Sequence, residues 1–437
     1  MQKTKVAIVG LGTVGSGVAK LLLDHGDRTA RHAGRALWLE KAVVQDLAKP
    51  RLCKLPAGIL TDRLEDVLEN SEIEVVALLM GGLEPARTVM LKLLDSGKDV
   101  VTANKALLAE HGPELFDRAR QLGRCIAFEA AVAGGIPIIS NISQCFSANQ
   151  ITSIQGILNG TSNFILSQMD DQGWDYARAL KEAQRLGYAE ADPTMDVDGT
   201  DAAQKLAILA HLAFGARIHW QNIPRVGIDQ LDIQDILFAA ELGYRIKLIA
   251  LARLGSAGLE LSVAPTLVRS GRPLAEVRRN YNAINVVGDA VGDIFFHGQG
   301  AGQMPTASAV VADMIDTAVG RTPITFRTLE LWSNRESPVS IRPDDDLPSR
   351  YYLRLIVADE PGSLAKITSV LGEHHISISS VIQHEPDPLT KLPQVQLVIM
   401  THEAPEGAAR KAVEEITKLP VVNGLGVRMH VMEDIKV

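Results

Sequence analysis

Five carboxylates, Glu190, Asp192, Asp196, Asp198 and Asp201, fall within a dozen residues of the stretch A-Q-R-L-G-Y-A-E-A-D-P-T-M-D-V-D-G-T-D-A-A-Q-K, which then supplies one lysine, Lys205. Gly187, Pro193 and Gly199 make its first part a loop, and from Thr200 the run D-A-A-Q-K-L-A-I-L-A-H-L-A-F predicts a strongly apolar helix. Asp201 and Lys205 stand four residues apart, so they share a face near the start of that helix. A charged pair opening an apolar helix is either an ordinary solvated ion pair or an acid/base lysine held beside carboxylates in a pocket. Asp192, next to Pro193, suits a turn, and Asp198 suits a helix cap.

The second stretch with chemistry in it is G-L-G-T-V-G, comprising Gly10, Leu11, Gly12, Thr13, Val14 and Gly15. An apolar run at 6–9 precedes it and a helical pattern follows, which is the context a dinucleotide-binding turn requires. Gly10 permits the tight turn, Gly12 lets the backbone approach a pyrophosphate, and Gly15 allows close packing of helix on strand. The helix N-terminus then offers N–H groups to the phosphates. The alternative is a purely structural glycine turn.

The elements around these stretches follow from periodicity. A second strand is expected at 41–44, after a polar connection at 27–35. Its end carries Gln45, Asp46 and, a little later, Lys49; the acid favours NAD and the base the 2′-phosphate of NADP. Strands at 75–79 and 100–101 alternate with helical stretches at 87–94 and 113–122, which implies a parallel, doubly wound sheet. The loops M-G-G-L-E-P-A, with Gly81, and T-A-N-K-A-L, with Lys105, lie at carboxyl ends of strands, where ligands bind in such sheets. Lys105 is therefore either a surface lysine or a contact to cofactor or substrate. A strand at 125–129 leads to A-A-V-A-G-G-I-P, either a plain turn or a set of oxygen donors for a hard cation beginning at Glu129.

We place a first domain at 1–143 and a second at 144–342. In the second, N-G-T-S-N-F-I follows a strand at 151–158 and opens a helix at 164–169; Asn159, Thr161 and Asn163 either cap it or bind a small polar substrate. Apolar runs at 246–254, 259–267 and 283–287 suggest an antiparallel sheet. The loop H-G-Q-G-A-G-Q, with Gly302, is expected to face a second part of the cofactor and opens a helix near 305–320 that is expected to pack back on the first domain. A linker is expected at 343–349. Beyond it, 350–437 reads as β-α-β-β-α-β, the ferredoxin-like order.

Composition narrows the function classes. The chain has 437 residues, 46% hydrophobic and 22% charged, with a net charge of −8. That balance argues against nucleic acid as a partner, and no apolar run reaches membrane-spanning length. Cys53, Cys125 and Cys145 have no paired spacing, which fits a reducing compartment, so a cytoplasmic protein is expected.

Taken together, these blocks resemble the bacterial homoserine dehydrogenases that carry a C-terminal ACT regulatory domain. The most specific element is the opening stretch, with Ala183, Gly187, Asp192-Pro193, Asp196, Gly199, Asp201 and Lys205 at the family's spacings. G-L-G-T-V-G, G-G-L-E-P-A, T-A-N-K-A-L, N-G-T-S-N-F-I and G-A-G-Q-M-P-T-A-S-A support it in order along the chain. The resemblance implies an α/β fold: a Rossmann-type NAD(P)-binding domain, an α+β catalytic and dimerisation domain, and an ACT domain. It implies reversible hydride transfer between NAD(P)H and L-aspartate 4-semialdehyde, giving L-homoserine. Lys205 would be the proton donor with Asp201 beside it, and Glu190 would bind the substrate ammonium. Asp196, Thr161 and Lys105 would line the substrate site. Gly10 to Gly15, Gln45, Lys49, Gly81, Lys105 and Gly302 would line the cofactor site. Glu129 with the carbonyls of Val132, Gly134 and Ile136 looks like the family's structural sodium site. Gly362, in D-E-P-G, looks like part of an effector loop, with threonine the expected amino acid and a homodimer or homotetramer the expected assembly. Many members have arginine at the position of Gln45, so cofactor choice between NADP(H) and NAD(H) stays open.

Two rival readings remain at this stage. An enzyme oxidising the semialdehyde to an acyl phosphate would need an activated thiol, for which Cys145 is the candidate. A non-catalytic amino-acid sensor would keep the nucleotide fold and show no turnover.

Overall fold

The glycine loop dictates the start of the fold. β1 (Lys3–Val9) delivers the chain into it, and Gly10 adopts φ +98°, a conformation open to glycine. α1 (Thr13–Asp24) follows directly. The structure, a computed structural model, describes residues 2–333, 339–384, 394–424 and 426–432. α2 (Gly26–Ala33), β2 (Ala36–Val43), β3 (Leu60–Thr61), α3 (Glu65–Leu68), β4 (Ile73–Leu78), α4 (Ala86–Asp95), β5 (Asp99–Thr102), α5 (Lys105–Gln121) and β6 (Ile126–Ala127) come next. Their sheet has the order β3-β2-β1-β4-β5-β6 and its pairings are parallel. β1 lies between β2 and β4, so the order reverses at the carboxyl end of β1, where the glycine loop sits.

Two expectations change here. The polar connection at 27–35 is largely helical, as α2, and β2 begins at Ala36 instead of Lys41. α5 begins at Lys105 and carries Pro113 inside it, whereas the sequence pattern signals a helix from 113. Asn104 overrides that signal, because its side chain accepts the N–H of Leu107 at 3.0 Å and starts the helix eight residues earlier.

The middle of the chain contains α6 (Ile138–Ser140), β7 (Ile151–Ile157), α7 (Gly160–Gln172), α8 (Tyr176–Arg185), α9 (Thr194–Val197), α10 (Thr200–Phe214), α11 (Ile233–Glu241), β8 (Tyr244–Gly255) and β9 (Gly258–Arg269). β10 (Tyr281–Gly288), β11 (Gly292–Gln299), α12 (Gln303–Ala318) and α13 (Arg321–Leu329) follow. N-G-T-S-N is the cap and first turn of α7, which starts at Gly160 and not at Phe164. β11 occupies part of the segment read as a glycine-rich loop: its residues alternate half-buried and exposed, a weak signal beside the glycines.

The C-terminal elements are β12 (Pro348–Ala358), α14 (Ser363–Glu373), β13 (Ile378–Gln383), β14 (Gln394–Thr401), β15 (Ala404–Pro405), α15 (Glu406–Ile416) and β16 (Val427–Val431). Tyr351, Leu353, Leu355 and Val357 alternate inward from β12 onto Ile367, Leu371, Leu397, Ile399 and Ile416. The expected linker is not free: a 3-10 turn spans Asp344–Asp346, and Pro348 and Ser349 already pair with β15.

The chain gathers into two compact units. One comprises Met1–Ile151, Ala203–Asn222 and Asn282–Val339; the other comprises Thr152–Ala202, Ile223–Tyr281 and Ser340–Val437. In the first, Ala307, Val310, Val311 and Met314 of α12 enter the same core as Val6, Ile8, Val18 and Ala19. Gly17 makes this approach possible, since a Cβ there would lie 2.9 Å from that of Ala307. In the second, a sheet runs β7-β8-β9-β16-β12-β14-β13. β8 and β9 pair antiparallel from Tyr244↔Arg269 to Gly255↔Gly258, while β16 joins β9 in parallel at His430↔Thr266 and Val431↔Leu267. The ferredoxin-like module therefore shares a sheet with the strands before it.

Candidate active site

The cofactor cradle lies in the first unit. At Gly12 an added Cβ would meet nothing within 4 Å, leaving open space above the loop, whereas at Gly15 it would fall 2.1 Å from the Gly10 carbonyl. Gly12 caps α1 without a side-chain hydrogen bond, so the first-turn N–H groups face outward for an anion. These features fit a dinucleotide pyrophosphate. Leu11 is buried and Val14 half-buried against the core, while Thr13 is exposed and its carbonyl accepts from Gln303 Nε2 at 3.0 Å. That bond fastens Gly302, the cap of α12, next to the loop. Asn104 Nδ2 donates to the carbonyls of Met80 and Gly82 at 3.0 and 2.7 Å, tying the loop that holds Gly81 to the start of α5. Lys105 is the first residue of α5 and half-buried, so it sits on a helix terminus and not in the loop itself.

At the end of β2, Gln45 and Lys49 are exposed. The Asp46 carboxylate accepts the N–H of Ala48 at 2.8 Å, closing an Asx turn, and the Asp46 carbonyl accepts from Arg51. Arg51 Nε is buried without a hydrogen-bond partner. The acidic signal read from Asp46 is thus partly spent on the turn, and a cation missed in the sequence stands beside it. Its position six residues beyond Gln45, past Pro50, hid it.

The acidic stretch as far as Asp201 is organised in the second unit. Asn159 Oδ1 caps α7 by accepting Ser162 N–H at 2.8 Å, and its Nδ2 donates to Asp196 Oδ1 at 2.7 Å and Asp201 Oδ2 at 2.9 Å. Ser162 Oγ donates to the Asp196 carbonyl at 2.7 Å, and Thr161 Oγ1 to the Tyr188 carbonyl at 2.7 Å. Thr161 is buried, so its hydroxyl hydrogen holds the loop. Asp192 accepts the Thr194 N–H and hydroxyl, and Asp198 does the same for Thr200, so one shapes the turn and the other caps α10. Glu190 is exposed. On α10, Asp201 and Lys205 are one turn apart and only 5% and 9% exposed. That burial weighs against the solvated ion pair, because charged side chains are rarely buried without partners.

Three family models match the chain: homoserine dehydrogenase at residues 137–315, the homoserine dehydrogenase NAD-binding domain at 10–129 and the ACT domain at 351–421. The homoserine dehydrogenase of Pseudomonas aeruginosa is 43% identical over 99% of each chain, and that of Synechocystis is 43% identical over 96% of this chain and 97% of its own. The crystal structure of a homoserine dehydrogenase from Thiobacillus denitrificans superposes with a TM-score of 0.91 at 42% identity, covering 99% of both chains. The chain belongs to the homoserine dehydrogenase family. A hyperthermophilic archaeal homoserine dehydrogenase mutant solved in complex with NADPH also matches, at 26% identity and a TM-score of 0.61, over 73% of this chain and 98% of that one.

Homoserine dehydrogenases are oxidoreductases, and the NAD-binding domain supplies the cofactor-binding part of this one. Cys145, the thiol on which the acyl phosphate reading depended, is exposed at the end of a π-helical turn, Asn141–Cys145. Among the described residues no helix is long and apolar enough to cross a membrane.

The turn after β6 has its own electrostatics. The Glu129 carboxylate accepts the N–H groups of Ile139 and Ser140, both at 2.8 Å, and the Ser140 hydroxyl. Burial pushes this carboxyl up, against those hydrogen bonds. Asp313 accepts the Glu129 N–H at 2.8 Å, and it too is pushed up by burial and then by the Glu129 charge. Among the described residues no cationic side chain pairs with Glu129. Val132, Gly134 (φ +45°) and Ile136 follow Glu129 along the chain, and their carbonyls are the hard oxygen donors that a monovalent cation would take there with the carboxylate. In the ACT domain, Gly362 caps α14 with φ +93°, and an added Cβ would meet nothing within 4 Å.

Proposed function

We propose that this chain catalyses the reversible reduction of L-aspartate 4-semialdehyde to L-homoserine, with Lys205 as the group that gives and takes the proton. Bound NAD(P)H would supply the hydride. A hydride arriving at the aldehyde carbon leaves negative charge on oxygen, and a buried ammonium both stabilises and protonates it. Asp201, one turn before Lys205 on α10, orders the lysine, and Asp196 is held with Asp201 by one amide. Glu190, on the exposed loop, takes the substrate ammonium. Thr161 shapes the pocket by holding the Tyr188 carbonyl, and Lys105 contributes from the start of α5. The observation that carries this reading is the burial of Asp201 and Lys205 on one face of an apolar helix.

The same reading extends to the ligands. Gly10 to Gly15, Gly81, Gly302 and Lys105 line the dinucleotide, with Gln45 and Lys49 at the ribose. Arg51 supports NADP(H) over NAD(H). Glu129 and the carbonyls of Val132, Gly134 and Ile136 would hold a structural Na+ that offsets the buried charge. Threonine is the proposed effector at the Gly362 loop, and a homodimer or homotetramer the proposed assembly, in a threonine, methionine and isoleucine biosynthetic role.

Initial-rate kinetics with homoserine and either cofactor test the proposal. Lys205→Ala is expected to lose turnover by at least ~100-fold, in the range of general acid–base contributions, while still binding cofactor. Near-normal kcat in that variant would remove the role from Lys205.

A further inference from the structure

Asp196 and Asp201 present a physical problem to the second unit. Two carboxylates lie within 2.7 and 2.9 Å of a single nitrogen, Asn159 Nδ2, so two like charges are held close together on one side chain. Such a pair raises the carboxyl pKa values unless donors favour the charged forms. A primary amide solves this, since its nitrogen carries two hydrogens and no charge. A hydroxyl would serve only one acid, and a lysine would bring a second cation beside Lys205. Asn159 is 4% exposed and its other amide atom is committed to capping α7, so its orientation is fixed from both ends.

The helix turn that carries Asn159 is anchored from behind. Four residues on, the two N–H groups of Asn163 Nδ2 are shared among the carbonyls of Arg279 at 2.9 Å, Tyr281 at 3.1 Å and Val277 at 3.3 Å, while its Oδ1 accepts from Lys247 Nζ at 3.2 Å. Lys247, on β8, is 2% exposed and also donates to the Val277 carbonyl. Ser167 Oγ donates to the Asn163 carbonyl at 2.7 Å and accepts Arg279 N–H at 3.1 Å, and Arg279 adopts φ +56°. A non-glycine residue in that region is strained and persists only where its surroundings demand it. A buried lysine costs stability on its own, yet here it closes a polar knot whose members converge on one turn of α7.

We infer that Asn159 is a positioning residue for hydride transfer: by giving one N–H to Asp196 and the other to Asp201 it sets the carboxylate that orders Lys205, and the Lys247–Asn163 pair holds the turn from which it acts. The inference rests on the reading of Lys205 as the proton donor. It assigns a function to two asparagines of N-G-T-S-N and to a buried lysine that the chemistry itself does not use.

The test compares Asn159→Ala, Asn159→Ser and Lys205→Ala in the full-length enzyme, following kcat, KM for homoserine, the pH dependence of kcat/KM and the dissociation constant for NADPH. Asp196 faces Asp201 across the Asn159 amide, and Lys205 follows it by one turn on the same helix; Asn159 itself is neutral. Removing a donor from an ionised carboxylate raises its pKa, so the acid limb should move to higher pH. Asn159→Ala is expected to lower kcat by roughly 30- to 100-fold, as expected for a misplaced catalytic group, with NADPH binding within about twofold of the parent. Asn159→Ser keeps a cap and one hydrogen, folds more readily, and should show a smaller effect in the same direction. A merely structural role would lower the melting temperature and the active fraction without moving the acid limb. Lys205→Ala inactive while both Asn159 variants keep kcat and the acid limb would overturn the inference and leave the catalytic reading standing. Turnover retained in Lys205→Ala removes both.

Discussion

Arg354 and Asp235 meet fork to fork: Nε donates to Oδ1 at 2.6 Å and Nη2 to Oδ2 at 2.9 Å. Asp235 has no exposed surface, and Tyr352 adds its hydroxyl to Oδ1 at 3.2 Å. The carboxylate also accepts the N–H of Asp232 at 2.9 Å, completing the capping box of α11. The first strand of the ACT domain is thereby bonded to the N-terminus of a helix in the catalytic region.

Arg354→Met should leave that carboxylate buried and unpaired. The expected loss is about 3–5 kcal/mol of unfolding free energy, read by denaturant titration. A loss within about 1 kcal/mol, the usual scale of an exposed pair, would mean the pair is dispensable.

Cofactor choice should answer to Arg51. Arg51→Ala is predicted to raise KM for NADP by ~10-fold, the scale of one charge-assisted contact, and to leave KM for NAD nearly unchanged. Equal changes for both cofactors would deny Arg51 a place at the 2′-phosphate.

Acid should destabilise the fold through His211, also on α10. Its ring is stacked on Trp332, Nδ1 meets the Ala216 carbonyl at 3.0 Å, and Nε2 accepts the Trp332 N–H at 2.7 Å. Burial pushes this imidazole down to about 4 from 6.5, against the raising effect of the Ala216 carbonyl. Between those two values the unfolded chain takes up a proton that the folded chain refuses, so stability falls as pH drops across the window. The contribution is fully present above about 6.5 and lost by about 4, on the order of 3 kcal/mol. His211→Gln should show a flatter decline between pH 7 and 4.5; parallel curves would assign the acid sensitivity elsewhere.

Local signals carried the sequence reading furthest. The glycine loop, the acidic stretch and the alternation of strand with helix depend on residues close together in the chain, where spacing alone constrains geometry. The Asx turn at Asp46 and the caps at Asp198 and Asn104 are equally local, yet Asn104 was masked by Pro113, which lies inside the helix that Asn104 caps. What sequence alone does not display is long-range: Asn159 reaching 37 and 42 residues ahead to its two carboxylates, or Lys247 returning 84 residues to Asn163. The pairing of β16 with β9 is of the same kind, since an edge strand does not announce its neighbour.

That last pairing gives the C-terminal module a consequence for the sheet it joins. Along its outer edge β9 is already bonded at Val263 to Pro224 and Val226 and at Leu259 to Ser340 and Arg342, so without β16 the open stretch would be its end about Leu267, and an open edge is a template for self-association. β16 covers that end, with Met432 N–H on the Leu267 carbonyl at 2.9 Å. Deleting the ACT domain is therefore expected to uncover that end of β9 and to promote self-association.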